Sequence, residues 1–114
     1  MLKEIQIQKQ YFDWVKIMRN KDWRYRLIYP IPNFGKRNPK NAAAEGITAG
    51  LWDVSIDIAN LGYNGMKLEF KSEKGKLTKE QKSMKDLYLK AGILCFVCKS
   101  FEYAQNLTTK YLGK

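Results

Sequence analysis

Two stretches of strict alternation, Leu51 to Ile58 and Met66 to Lys71, flank a segment rich in asparagine and glycine, and this pairing constrains the fold more than any other feature of the chain. In an extended strand successive side chains take opposite faces. Trp52, Val54, Ile56 and Ile58 therefore share one face, and Asp53, Ser55 and Asp57 the other. In the second stretch Met66, Leu68 and Phe70 point inward, leaving Lys67, Glu69 and Lys71 together on the opposite face. The segment Asn60 to Gly65 carries Gly62 and Asn64-Gly65, which fits an antiparallel hairpin with a loop longer than two residues. Such a hairpin can set Asp53 beside Glu69.

The remaining segments read as scaffold around that hairpin. Residues 3 to 18 have helical periodicity, with Ile7, Tyr11, Trp14, Val15 and Met18 on one arc. Glu4 and Gln8 fall on the same arc, so a carboxylate is expected on the side that should be buried. Burying it is costly unless it is paired or binds a metal, and the alternative is that Glu4 sits in solvent at the helix start, where an acid suits the dipole. Tyr25, Leu27 and Tyr29 alternate with Arg24, Arg26 and Ile28, which predicts a strand ending at Pro30. Pro30 to Asn41 has the composition of a loop and carries Lys36, Arg37 and Lys40. Asn41 to Gly46 reads as a short helix with an Asn cap and a glycine stop. Thr78 opens a helix with Met84, Leu87, Tyr88 and Ala91 at helical spacing, ended by Gly92. Ile93 to Cys98 is a nearly continuous apolar run, as expected for a strand covered on both faces. Ser100 caps a last helix with Ala104, Leu107, Tyr111 and Leu112 inward. The order is helix, strand, hairpin, helix, strand, helix, which predicts an α/β fold with a small mixed β-sheet flanked by helices.

With 114 residues the chain suits one domain, residues 1–114, so a site must be built from one core or completed by a second copy. Its apolar runs fall short of the ~20 residues of a membrane span, and the start Met1-Leu-Lys-Glu-Ile lacks a signal's apolar block, so an intracellular, cytoplasmic protein is expected. The formal net charge of +10 points to a polyanionic partner, most simply nucleic acid, with an acidic membrane surface as the alternative. The chain has no histidine, which removes Ser-His and Cys-His pairs, histidine bases and most zinc hydrolase designs. Cys95 and Cys98 form a C-x-x-C without a second pair, and buried structural thiols are the expected reading over a redox or zinc site.

Carboxylates, lysines and a hard metal ion remain as catalytic resources. Phosphodiester hydrolysis without histidine is within reach of divalent ions held by carboxylates, and magnesium takes few carboxylates and several waters. Asp53 and Glu69 are the candidate carboxylates. The Phe70 carbonyl, on the same strand, is a further candidate ligand, and Lys71 would stabilise the attacking hydroxide or the developing charge. Cross-strand Glu-Lys pairs on a solvated sheet face would give the same pattern. Asp57 shares Asp53's face but lies about 13 Å along the strand. Thr78-Lys-Glu-Gln81 is a capping box in which Gln81 bonds back to the cap residue. Lys74, Lys76 and Lys79, with Lys36, Arg37 and Lys40, are candidate phosphate contacts. Trp14, Trp23 and Trp52 could stack on bases, although aromatics are more commonly buried.

The linear order of Glu4 to Trp14, Ile31 to Arg37, Ala44 to Gly50 before Asp53, Leu68 to Gln81, and Gly92 before the last strand resembles the virus-type replication-repair nuclease (VRR-NUC) family of the PD-(D/E)XK nuclease superfamily. The resemblance covers nearly the whole chain. It implies a restriction-endonuclease-like PD-(D/E)XK core and a metal-dependent hydrolytic site at Glu4, Asp53, Glu69, Lys71 and Gln81. In that site Gln81 would contact the metal-bound water, Lys71 or a phosphate. The implied activity is a Mg2+- or Mn2+-dependent deoxyribonuclease, and stand-alone members are similar to Holliday junction resolvases, which act as homodimers on branched DNA in DNA repair. The chain departs from the family in having Trp52 where proline usually precedes the strand aspartate. The rival expectations are a non-catalytic basic module that binds nucleic acid and a restriction-type nuclease cutting duplex DNA.

Overall fold

The computed structural model describes residues 2–32, 44–46 and 48–113. Helix α1 spans Glu4–Met18, strand β1 Ile28–Pro30, β2 Val54–Ile56 and β3 Gly65–Phe70. Helix α2 spans Lys79–Lys90, β4 Ile93–Cys98 and α3 Phe101–Leu112. The four strands lie in the order β1-β2-β3-β4. The first three are antiparallel neighbours, whereas β3 and β4 run parallel. A parallel pair needs a crossover, and α2 supplies it. The mixed sheet flanked by helices is the predicted α/β architecture. Among the described residues no helix is long and apolar enough to cross a membrane.

Alternation explains why the sheet buries the face it does. Val54, Ile56, Met66, Leu68 and Phe70 are all buried and join Ile7, Tyr11 and Val15 of α1 and Ala104, Tyr111 and Leu112 of α3 in one core. Fully burying a side chain of this size is worth roughly 1.5–3 kcal/mol. The Tyr11 ring packs 5.5 Å from that of Phe70, and its hydroxyl meets Thr108 Oγ1 at 2.8 Å. Thr108 also donates to the Ala104 carbonyl, so this buried hydroxyl on the apolar face of α3 is satisfied. Leu107, expected inward, is only partly buried. The β2–β3 connection turns at Leu61 and Gly62, both with positive φ (53° and 84°), where Asn60 and Tyr63 bridge. These signs are those of a type I′ turn, in which glycine carries little strain.

Several expectations fail for identifiable reasons. The segment predicted as a strand ending at Pro30 is a 3-10 helix over Trp23–Leu27 followed by the short β1, which does end at Pro30. Asp22 caps it, accepting from Arg24 N–H, and Tyr25 and Ile28 are the buried pair, a spacing of three and not two. β4 is an edge strand with five of its six residues half-buried, not a strand covered on both faces. On α2, Leu87 and Ala91 are exposed and the inward stripe is Gln81, Met84, Lys85 and Tyr88, so the helix is rotated from the expected arc. Trp52 is buried but lies outside the core cluster, because β2 starts only at Val54 and the alternation does not reach back to it. Glu4 is exposed, and Gln8 half-buried, because the buried stripe of α1 is Ile7, Tyr11 and Val15. Of the expected Asn41–Gly46 helix only Ala44, Glu45 and Gly46 are described; Lys36, Arg37 and Lys40 also lie outside the described residues.

Candidate active site

The register places Ser55 opposite Lys67 and Val54 opposite Leu68, which sets Asp53 level with Glu69. The two residues are tied in both directions. Asp53 N–H donates to Glu69 Oε1 at 3.1 Å, and Phe70 N–H donates to Asp53 Oδ2 at 2.8 Å. Glu69 is only 2% exposed. Its second oxygen, Oε2, lies 3.4 Å from Lys71 Nζ and accepts from Gln81 Nε2 at 2.8 Å. Lys71 is also buried, held at the end of β3 by its N–H donating to the Cys98 carbonyl. Burial, reinforced by the neighbouring Asp53 carboxylate and opposed by Lys71, pushes the Glu69 carboxyl from 4.5 up to about 7. Two acids are thus kept adjacent in a place that disfavours the charge on Glu69.

Gln81 serves the helix and the carboxylate at once. Its Oε1 accepts from Thr78 N–H at 2.9 Å while its own N–H donates to Thr78 Oγ1 at 3.1 Å, a complete capping box. The opposite face of the same amide reaches Glu69. Only this orientation of the amide gives an acceptor to the Thr78 N–H and a donor to a Glu69 carboxylate. The capping role and the site contact therefore coexist.

Trp52 supports that arrangement, and alternation alone did not point to its role. Its indole N–H donates to the Gln81 main-chain carbonyl at 3.0 Å. Its backbone N–H donates to the Tyr88 hydroxyl at 3.3 Å, and the two rings stack edge to face at 6.2 Å. Gly50 allows the approach: it has φ +91°, and a Cβ there would stand 2.5 Å from the Glu80 carbonyl oxygen. The open cleft of about 220 Å³ that results is lined by Ile31, Pro32, Gly50, Asp53, Thr78 and Gln81, among others. The signal for Gly50 was present in the sequence, as a glycine just ahead of the strand, but its partner on α2 was not.

Next along the sheet face, Lys67 Nζ donates to Ser55 Oγ at 2.8 Å and lies 5.3 Å from the centre of the Tyr88 ring; burial lowers its pKa. Ser55 donates to Asp57 Oδ1 at 2.5 Å, and Tyr29 donates to Asp57 Oδ2 at 2.7 Å. Asp57 is thus engaged away from Asp53. Lys74, Lys76 and Lys79 are exposed around the start of α2. Trp23 is 69% exposed, while Trp14 packs against the core. Cys95 and Cys98 are free thiols, pushed by burial to about 11 and about 12, in keeping with a structural role.

Among the described residues no group of three or more acids, cysteines or histidines gathers to hold a metal, so Glu4 does not join Asp53 and Glu69 in a three-acid cluster. The adjacent Asp53 and Glu69 carboxylates nevertheless offer oxygen donors of the kind magnesium and manganese accept, with water free to complete the shell. The raised Glu69 pKa fits the same idea, since a cation there would offset the cost of two adjacent acids.

No protein-family model matches the sequence, and neither does any curated protein. A solved structure described as a VRR_NUC domain protein does, with a TM-score of 0.81 and 25% sequence identity, covering 97% of this chain and 88% of that one. With its mixed sheet, flanking helices and nearly complete coverage, the chain shares the α/β nuclease fold of that VRR_NUC domain protein and is similar to it over nearly its whole length.

Proposed function

We propose that this domain is a Mg2+- or Mn2+-dependent endonuclease that hydrolyses DNA phosphodiester bonds, acting as a homodimer on branched DNA such as a Holliday junction. The observation that carries the reading is the buried Glu69 and Lys71, 3.4 Å apart, with the half-buried Asp53 tied to Glu69 by its N–H. A solvated cross-strand Glu-Lys pair would not be buried in this way, which argues against the purely structural alternative. A divalent ion held by Asp53, Glu69 and the Phe70 carbonyl would neutralise the phosphoryl group and acidify the attacking water. The protein's own groups do the rest. Gln81 holds Glu69 in place, and Lys71 steadies the attacking oxygen and the charge that builds on phosphorus. The water attacks phosphorus, the bond to the leaving sugar oxygen breaks, and a proton reaches that oxygen. Glu4, on the exposed first turn of α1, enters through the family resemblance and not through its position.

The net charge of +10 supports a polyanionic substrate. Lys74, Lys76 and Lys79, exposed around the start of α2, are proposed phosphate contacts, as are Lys36, Arg37 and Lys40, which lie outside the described residues. One short domain carries one such site, and cutting two strands requires two, hence the homodimer. A four-way junction, a nicked duplex and a linear duplex compared side by side test the specificity. Paired incisions in the junction with sparing of the linear duplex are expected. Equal cutting of junction and linear duplex would favour a restriction-type enzyme, and binding without cutting would favour a non-catalytic basic module.

A further inference from the structure

A second concavity runs along the outer side of α1. It is a groove of about 390 Å³ lined by Ile5, Phe12, Pro30, Lys9, Lys16 and Arg19, among others. Lys16 and Arg19 also line an adjoining hollow of about 540 Å³, together with Asn20 and Arg26. The two hollows thus share Lys16 and Arg19 as a common wall. At its other end, Pro30 leads directly into Ile31 and Pro32, which line the catalytic cleft with Asp53. No acid is among the described residues lining either hollow; Asp13 on α1 is paired with the lining residue Lys9 at 2.7 Å.

Arg19 is the preorganised member of this surface. Its Nε donates to the Tyr25 carbonyl at 3.2 Å and its Nη2 to the Ile28 carbonyl at 2.7 Å. A guanidinium carries five N–H groups, so others remain for a ligand while the plane is already fixed. Lys16 and Arg26 flank it as exposed cations.

We propose that this groove seats the sugar-phosphate backbone of the nucleic acid beyond the cleft, with Lys16, Arg19 and Arg26 on its phosphates. The proposal rests on the nuclease reading and adds to it a binding face distinct from the exposed Lys74, Lys76 and Lys79 around the start of α2. From Ile5 to Arg19 the helix extends about 21 Å at 1.5 Å per residue, room for roughly six nucleotides at 3.4 Å each. The apolar side chains between the cations suit sugar faces. A second copy of the chain is the weaker occupant, because a two-fold interface on this face would bring cation against cation.

The test uses Lys16→Glu/Arg26→Glu against an equally charged control, Lys90→Glu/Lys110→Glu, at exposed positions of α2 and α3 that line neither hollow. Binding to a duplex of about 30 base pairs is measured in EDTA across a salt series, with thermal melts and light scattering on each protein. The groove variant is expected to bind at least tenfold more weakly than the control, with the salt slope reduced by about two phosphate contacts. If Lys16→Glu/Arg26→Glu melts early, Lys16→Gln/Arg26→Gln takes its place with about half the effect. Equal weakening of groove variant and control would overturn the proposal while leaving the nuclease reading intact. So would a wild-type dimer that the groove variant dissolves, since a second copy would then occupy the face. A folded wild type with no affinity for nucleic acid would overturn both.

Discussion

Gln81 donates from Nε2 to Glu69 Oε2 at 2.8 Å, while its other amide atom caps the helix on which it stands. The start of α2 and the Glu69 carboxylate are thus coupled through one side chain. Gln81→Ala removes both bonds and is expected to cost about 1–2 kcal/mol of stability and at least tenfold in cleavage rate. Gln81→Glu keeps an acceptor for the Thr78 N–H but sets a like charge against Glu69, so it should retain most of the stability and lose the activity. Urea unfolding alongside single-turnover cleavage separates the roles; full activity in Gln81→Ala would leave only the cap.

Trp52 stands where the family usually has proline, and it makes a bond that proline cannot, from its indole N–H to the Gln81 carbonyl. Trp52→Phe should keep the ring against Tyr88, lose about 1 kcal/mol with the N–H, and lower kcat with little change in KM. Trp52→Ala should cost about 3–5 kcal/mol. Wild-type kcat and stability in Trp52→Phe would show that this bond positions nothing.

Gly50→Ala places a methyl group 2.5 Å from the Glu80 carbonyl oxygen at a φ of +91°. A loss of about 1–3 kcal/mol is expected in chemical denaturation, from strain and from displacement of α2. An unchanged unfolding midpoint would mean that the loop yields freely.

The alternating segments made much of this legible, because period two is unambiguous where both strands are paired and one face is buried. They indicated the hairpin, the inward Val54, Ile56, Met66, Leu68 and Phe70, and the meeting of Asp53 with Glu69. Periodicity failed where a local bond overrode it. The Asp22 cap wound Trp23–Leu27 into a 3-10 turn, and the late start of β2 released Trp52 from the core and turned it towards α2. The double use of Gln81 was illegible because one residue type satisfies both roles and only the distance to Glu69 reveals the second. Periodicity left Glu4 open between the buried arc and solvent at the helix start, and the structure exposes it, because the buried stripe of α1 begins only at Ile7.

The pH dependence of stability follows from Glu69. Its carboxyl is raised to about 7 in the folded protein from an ordinary 4.5. The folded state therefore binds the proton more tightly than the unfolded state. The corresponding stability is fully present below about pH 4.5 and is lost as pH rises through about 7. Metal-free wild type should lose on the order of 1–3 kcal/mol across that window, and Glu69→Gln should flatten the profile and be the more stable protein at pH 8. Parallel thermal melts in EDTA read this directly; identical profiles would show that Glu69 carries no such cost.

The central claim is that the Asp53–Glu69–Lys71 group hydrolyses DNA with a divalent ion. Single-turnover cleavage of a four-way junction by wild type, Glu69→Gln and Lys71→Ala, with and without Mg2+ or Mn2+, tests it most directly. Wild type should cut only with the ion, and both variants should be slower by roughly a hundredfold or more. By calorimetry Lys71→Ala should still bind the ion. Equal cutting by wild type and Lys71→Ala, or cutting by wild type in EDTA, would contradict the account.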